Sequence, residues 1–240
     1  GTGNITQTGA TTATAILATG ATGGNLAVVG ATGDVDLQNV TNDVAKVAAL
    51  VSVAAKHFYY TDANNLAIDT VANVGALTSV AGAVNANPGA STVGITTQGN
   101  TLGDVKVYAV AGTLTVNQAV STVPAAGAAT PGGTVVLQAS GAITNVAAGT
   151  VTTTGAANTT GVGGVGGEIF IYSSGGTITL GGLVTAAGGS ATGGGTTGGN
   201  GGVVTIRTAS GDILINAAIN GSGGVTGSVA AGNGGTVQLT

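Results

Sequence analysis

The feature that most constrains this chain is a phrase it repeats. GGTVVLQASGAIT opens at Gly132, GGEIFIYSSGGTITL at Gly166, GGVVTIRTASGDILIN at Gly201 and GGTVQLT at Gly234, so the copies begin 34, 35 and 33 residues apart. Self-similarity at such a period belongs to stacked architectures, in which a unit buries its apolar face only against its neighbour. Aligning the copies places Val135 and Leu137, Ile169 and Ile171, Val204 and Ile206, and Val237 and Leu239 in two slots one residue apart. A spacing of two puts both side chains on one face of a strand. The slots between them hold Val136, Phe170, Thr205 and Gln238, the mixed chemistry of an outward face.

An earlier copy, GDVKVYAVAGTLTVN from Gly103, supplies Val105 and Val107 inward and Lys106 outward. After a corner at Gly112, Gly141, Gly176 or Gly211 comes a second alternating run, marked by Leu114 and Val116, Ile143, Ile178 and Leu180, and Ile213 and Ile215. Glycine suits a corner that needs a positive φ or a sharp turn. A third short strand is marked by Val120, Val151, Val184 and Ile219, and Gly/Thr/Ala-rich tracts such as the one from Gly188 return the chain to its start. Three strands and three corners per copy predict an all-β fold, a right-handed parallel β-helix with rungs of about 34 residues. About seven rungs would make a rod some 35 Å long.

The whole of 1–240 reads as a single β-helical domain, regular over 103–240 and less regular over 1–102. There, Leu26 and Val28, Val35 and Leu37 after Gly33, and Leu66 and Ile68 keep the same grammar. Between them NDVAKVAALVSVAAKHFYYTDANN leaves the conformation of 42–65 open. Val44, Val47 and Val51 behind Asn42 would suit a short capped amphipathic helix, with strands as the competing reading.

Composition removes several classes. Hydrophobic residues make up 43% and charged residues 5%, too apolar for a disordered chain. Glycine numbers 47 without a strict Gly-X-Y period, which excludes collagen. With a formal charge of −4 and only Lys46, Lys56, Lys106 and Arg207 as cations, neither nucleic acid nor an anionic membrane surface is an expected partner. There is no cysteine, so neither disulfides nor Cys-ligated metals hold the fold. The apolar run from Asp43 to Lys56 is too short for a bilayer span and carries lysines. With no methionine and no signal-like start, the chain reads as a segment of something longer.

FYYTDANNLAIDTV (Phe58 to Val71), GTLTVNQAV (Gly112 to Val120) and GGTVVLQASGAIT resemble the repeat region of filamentous-haemagglutinin-like proteins. These are large exported adhesins of Gram-negative bacteria made by two-partner secretion. The resemblance runs from about Gly24 onward. It implies a right-handed parallel β-helix serving as stalk or fibre, a secreted or cell-surface location, and strands over Asp43 to Lys56. Asn87-Pro88-Gly89 is only faintly like the family's Asn-Pro motifs, and no secretion domain or anchor is recognisable.

Candidate chemistry is sparse. Asp34 and Asp36 share a strand face, as an acid/base pair or half a calcium site would, but the expected reading is a solvated outer face with no cation beside it. Asp212 aligns with Asp34, yet Thr113, Ala142 and Thr177 occupy that slot between them, so no carboxylate column is expected. His57 is the single histidine, which excludes a multi-His metal site and leaves a packing or surface role beside Phe58, Tyr59 and Tyr60. GVGGVG from Gly161 satisfies G-x-G-x-x-G but leads into a strand, so it fails the dinucleotide context. Glu168 stands where the calcium nonapeptide needs Asp, and the motif does not iterate. Thr152 with Thr154, and Thr177 with Thr179, are not expected to recur in one slot as an ice-binding array would require.

The outward column of Tyr108, Gln138, Tyr172 and Arg207, with Phe170 close by, is the candidate interaction surface. Tyr172 and Arg207 are placed for a cation-π contact. Exposed aromatics suit glycans, a host or neighbouring cell surface, or another fibre. No catalytic, cofactor or metal residue is assigned. The expected function is a non-enzymatic extracellular stalk or adhesin fibre, with neighbouring rungs or copies as partners. A self-assembling filament subunit joined through end-rung pairing is the alternative, and a β-helical glycan-active enzyme ranks below both.

Overall fold

The computed structural model describes residues 3–7, 15–17, 24–72, 78–79, 82–83, 91–99, 103–192, 197–225 and 230–240. Asn87-Pro88-Gly89 lies outside the described residues. Within them the chain is all-β, without a helix, and its strands are mostly parallel. An eight-stranded and a twelve-stranded sheet carry almost all of the pairing; neither closes on itself. Two short antiparallel pairs are the exceptions, Thr92–Val93 on Thr70–Val71 and Thr78–Ser79 on Gly82–Ala83.

The first strand of each copy builds the eight-stranded sheet. Phe58–Asp62, Val105–Ala109, Thr134–Ala139, Glu168–Ser173, Val203–Thr208 and Thr236–Leu239 lie side by side in chain order. Their register is unbroken: Val105 pairs with Val135, Val135 with Ile169, Ile169 with Val204, and Val204 with Val237. Alternation explains the burial. Val135, Leu137, Ile169, Ile171, Val204 and Ile206 are buried, while Val136, Gln138, Phe170 and Tyr172 between them are half-buried on the other side. Full burial of one such aliphatic is worth about 1.5–3 kcal/mol, and each finds its partners in the neighbouring copies.

The second and third strands lie in the twelve-stranded sheet. Leu66–Ile68, Leu114–Val116, Ile143–Asn145, Ile178–Leu180 and Ile213–Ile215 form one row; Ile95–Gln98, Val120–Ser121, Val151–Thr152, Val184–Thr185 and Ile219–Asn220 form the other. Lys46–Ala54 joins them, pairing with Leu66–Ile68 through Lys46 and Val47 and with Ile95–Gln98 through Ala49 to Val51. The helix alternative for 42–65 therefore gives way to strands. Asn25–Ala31 also pairs along Lys46–Ala54, Leu26 with Val47 and Val28 with Ala49, and this long-range pairing outweighs local helix propensity.

All four corner glycines sit at bends of the chain. Only Gly211 among the four has a positive φ, 104°. At Gly112, Gly141 and Gly176 the requirement is proximity: a Cβ on Gly176 would run into the backbone of Gly141 and Ala142.

The tracts after the third strand form a layer with no side-chain core. In 163–168 burial has a period of three: Gly163 and Gly164 are in, Val165 is out, Gly166 and Gly167 are in, Glu168 is out. Hydrogen bonds follow the same period. Gly163 and Gly166 donate to Thr197 and Asn200 of the next copy, both at 2.9 Å. Gly164 and Gly167 donate across the layer to Ala156 at 2.9 Å and Thr153 at 2.6 Å. One copy later, Gly199 and Gly202 repeat this to Gly189 and Ala186. Two extended backbones thus bond face to face as well as edge to edge, and a Cβ on Gly164 would overlap the Thr130 carbonyl.

Candidate functional site: the outward face of the eight-stranded sheet

The outward positions of this sheet hold most of the chemistry of a chain with four tyrosines, two phenylalanines and four Lys or Arg residues. Phe58 and Tyr60 point inward and are fully buried, whereas Tyr59, Tyr108, Phe170 and Tyr172 alternate outward. Every aromatic ring of the chain therefore belongs to this sheet, and the four that reach its surface share one face.

Register assembles three columns. The first runs Asp34, His57, Asp104, Thr134, Glu168, with each strand's pairing extended by one residue at its start. The second is Asp36, Tyr59, Lys106, Val136, Phe170, Thr205, Gln238. The third is Thr61, Tyr108, Gln138, Tyr172, Arg207. The last four residues are the expected interaction column, and the structure brings them together in that order. Arg207 lies over the Tyr172 ring at 5.8 Å, and Phe170 stacks on Tyr172 with centroids 6.1 Å apart. Arg207 is exposed; Tyr108, Gln138, Phe170 and Tyr172 are half-buried.

Two expectations about Asp34 are corrected. Val35–Leu37 pairs with Ile5–Thr6 and Phe58–Asp62, so Asp34 belongs to the eight-stranded sheet and does not align with Asp212 beside Ile213–Ile215. The repeat is irregular before Gly103, and Gly33 imitates a corner glycine. Nor is Asp34 without a cation: Lys56 Nζ is 3.2 Å from one carboxylate oxygen and His57 Nδ1 is 3.4 Å from the other. Burial raises the Asp34 pKa, but Lys56, the His57 N–H and the charge of the two side chains outweigh it and leave the carboxyl below its usual range. Burial pushes the Asp104 carboxyl up, although it accepts the Thr134 N–H at 2.7 Å. The Tyr59 hydroxyl is raised by burial and by Asp104, Asp36 and Asp34; its ring stacks on His57 at 4.0 Å.

In the twelve-stranded sheet Thr152 and Thr179 lie in different slots, as expected, and each belongs to a ladder of its own. Thr179 shares its outward slot with Thr144 and Thr115, and Thr152 shares another with Thr96, Ser121 and Thr185.

A buried polar centre was also missed. Asp62 is fully buried and accepts hydrogen bonds from Tyr60 Oη (2.8 Å), Val44 N and Asn64 N (both 3.0 Å). Burial raises its pKa despite them. Asn42, equally buried, donates to the carbonyls of Leu37 and Thr61 and to Gln7, and accepts from the Ile16 N–H. Their position, between a strand of one sheet and a strand of the other, is that of a joint. Asn42 before an apolar run is the available signal, and the sequence reads it equally well as a helix cap.

Elsewhere, an open cleft between Ala54, Gln98, Pro124 and Thr130 is lined by no charged or aromatic side chain. Among the described residues no three His, Asp or Glu side chains group as a metal site requires, and no helix is long and apolar enough to cross a membrane. Comparison with known proteins finds no matching family model, no matching curated protein and no matching solved structure.

Proposed function

We propose that the chain winds as a right-handed parallel β-helix of about 34 residues per rung and serves as a non-enzymatic segment of an extracellular stalk or adhesin fibre. The observation carrying this reading is the unbroken parallel register from Val105 through Val135, Ile169 and Val204 to Val237, one repeat copy per strand. A chain that advances one strand spacing per copy gains length in proportion to copy number, which is what a spacer requires. The glycine layer serves the same end, since cross-layer backbone bonds stiffen the section without bulky side chains. The likeness of FYYTDANNLAIDTV and GTLTVNQAV to filamentous-haemagglutinin-like repeats supports secretion to a Gram-negative cell surface.

Excising one whole copy, 166–200, tests the winding. It brings Val203–Thr208 next to Thr134–Ala139 in the same register, and the shortened chain should fold cooperatively. Excising half a copy should not leave a folded chain. Equal damage from both would overturn the reading, and product release from acidic polysaccharides incubated with the protein would overturn the non-enzymatic part.

The filament alternative rests on the same inward slots. Ile171 and Ile206 are 1% and 0% exposed, but Leu239 in the same slot is 45% exposed; Leu180 is 1% exposed and its partner Ile215 is 42%. The last strands thus present the surface that each copy offers its successor. Further rungs or another copy fit it equally in chemistry. Concentration-dependent growth of fibres by the purified chain would favour the filament over the stalk.

A further inference from the structure

We infer that the column Tyr108, Gln138, Tyr172, Arg207 is a binding site for an oligosaccharide with a carboxylated sugar, whose carboxylate is held by Arg207. This rests on the stalk reading for its biological setting, and on the following geometry for its chemistry. Lys46 pairs with Asp69 at 2.8 Å and Lys56 with Asp34 at 3.2 Å. Among the described residues neither Lys106 nor Arg207 forms an ion pair, and both stand on the aromatic face. Arg207 is the better placed. Its guanidinium is held over Tyr172 at 5.8 Å, and Tyr172 is backed by Phe170 at 6.1 Å. A guanidinium stacked over a ring leaves its in-plane N–H donors available, and that planar fork matches a carboxylate with two parallel hydrogen bonds.

The rest of the column suits sugar. Gln138 carries both a donor and an acceptor, and the hydroxyls of Tyr172 and Tyr108 do the same at the ends of apolar rings. At one strand spacing per residue the column from Tyr108 to Arg207 is about 14 Å long, roughly the length of a short oligosaccharide lying along the strand-stacking direction. The charge pattern argues for one carboxylate rather than a polyanion. The chain carries a net charge of −4, and Glu168, Asp104 and Asp36 stand in the neighbouring columns. Polyanion binding requires clustered cations, and among the described residues only Arg207 and Lys106, which stand in separate columns, are without an ion pair. One such contact at an exposed site is weak, and a fibre that repeats it gains through effective concentration.

The test is a titration of the purified chain, followed by NMR, with a galactotriose in which one residue is galacturonate, with plain galactotriose, and with a galactotriose bearing one sulfate in place of the carboxylate. The mono-galacturonate sugar should bind at least tenfold more tightly than plain galactotriose. Arg207→Gln should weaken it at least tenfold, Arg207→Lys several-fold, and Lys106→Gln less than threefold. Equal binding of the acid and the plain sugar, an unchanged affinity in Arg207→Gln, tighter binding of the sulfated sugar, or no binding by the folded wild-type chain at millimolar concentration would each overturn the site. Copy excision reads the winding and titration reads the site, so failure of the one is distinguishable from failure of the other.

Discussion

Gly164 donates its backbone N–H to the carbonyl of Ala156 across 2.9 Å, joining two extended stretches of one copy face to face. No side chain intervenes, and Gly164 is buried. The contact accounts for the Gly-Gly-X rhythm of GVGGVGGE: both inward positions must lack a Cβ, while Val165 and Glu168 fall outward.

Gly164→Ala therefore costs more than its one methyl suggests. Its Cβ would meet the backbone of Thr130, which cannot rotate away, so the loss should be about 1–3 kcal/mol, the scale of core overpacking. Val165→Ala, 46% exposed before substitution, should change stability by less than about 0.5 kcal/mol. Denaturant melts of the two variants check this. Equal midpoints would deny the layer its role.

The inward ladder predicts a contrast within one slot. Ile171 is covered by Leu137 and Ile206 in the neighbouring copies, and Ile171→Ala should destabilise by about 2–5 kcal/mol. Leu239 occupies the same slot with 45% exposure, and Leu239→Ala should lose under about 1 kcal/mol. Equilibrium unfolding that ranks them the other way would contradict the register.

How much of this was legible in the sequence follows from what repeats. Val135, Ile169 and Val204 recur at a near-constant interval, so the three-strand unit and the Tyr172–Arg207 contact could be read directly. Before Gly103 the intervals drift, and Gly33, which looks like Gly211, points Asp34 to the wrong strand. Its pairing with Lys56 and His57 depends on a return of the chain that no local pattern encodes. The alanines of Lys46–Ala54 carry little information on their own; partners on both sides decide their strand. The face-to-face glycine bonds were hidden because hydrophobic periodicity is blind to a layer made of backbone.

Stability should respond to pH through two opposed sets of carboxyls. Asp34 and Asp69 are partly buried, which raises their pKa, but hydrogen bonds from Lys56 and Lys46 and neighbouring N–H groups carry both below the usual 3.8. Their contribution is present above 3.8 and is lost as pH falls through their folded values. Asp62 is shifted upward by burial, so its contribution is present below 3.8 and is lost as pH rises through its folded value. Relative to wild type, Asp62→Asn should gain stability between pH 3 and pH 7, whereas Lys56→Gln should lose stability over the same range. Melting temperatures across that range decide it. Parallel curves for wild type and Asp62→Asn would show that burial of Asp62 does not perturb it.

The most direct measurement of copy-on-copy stacking is a series of distances between spin labels along one outward column. With one label at Gln238 and the second at Phe170, Val136, Lys106 or Tyr59, register places two, three, four and five strand spacings between them. The separations should rise in equal steps of about 4.8 Å, reaching about 24 Å at Tyr59. Unequal steps, or distances that stop growing with the number of intervening copies, would contradict the account.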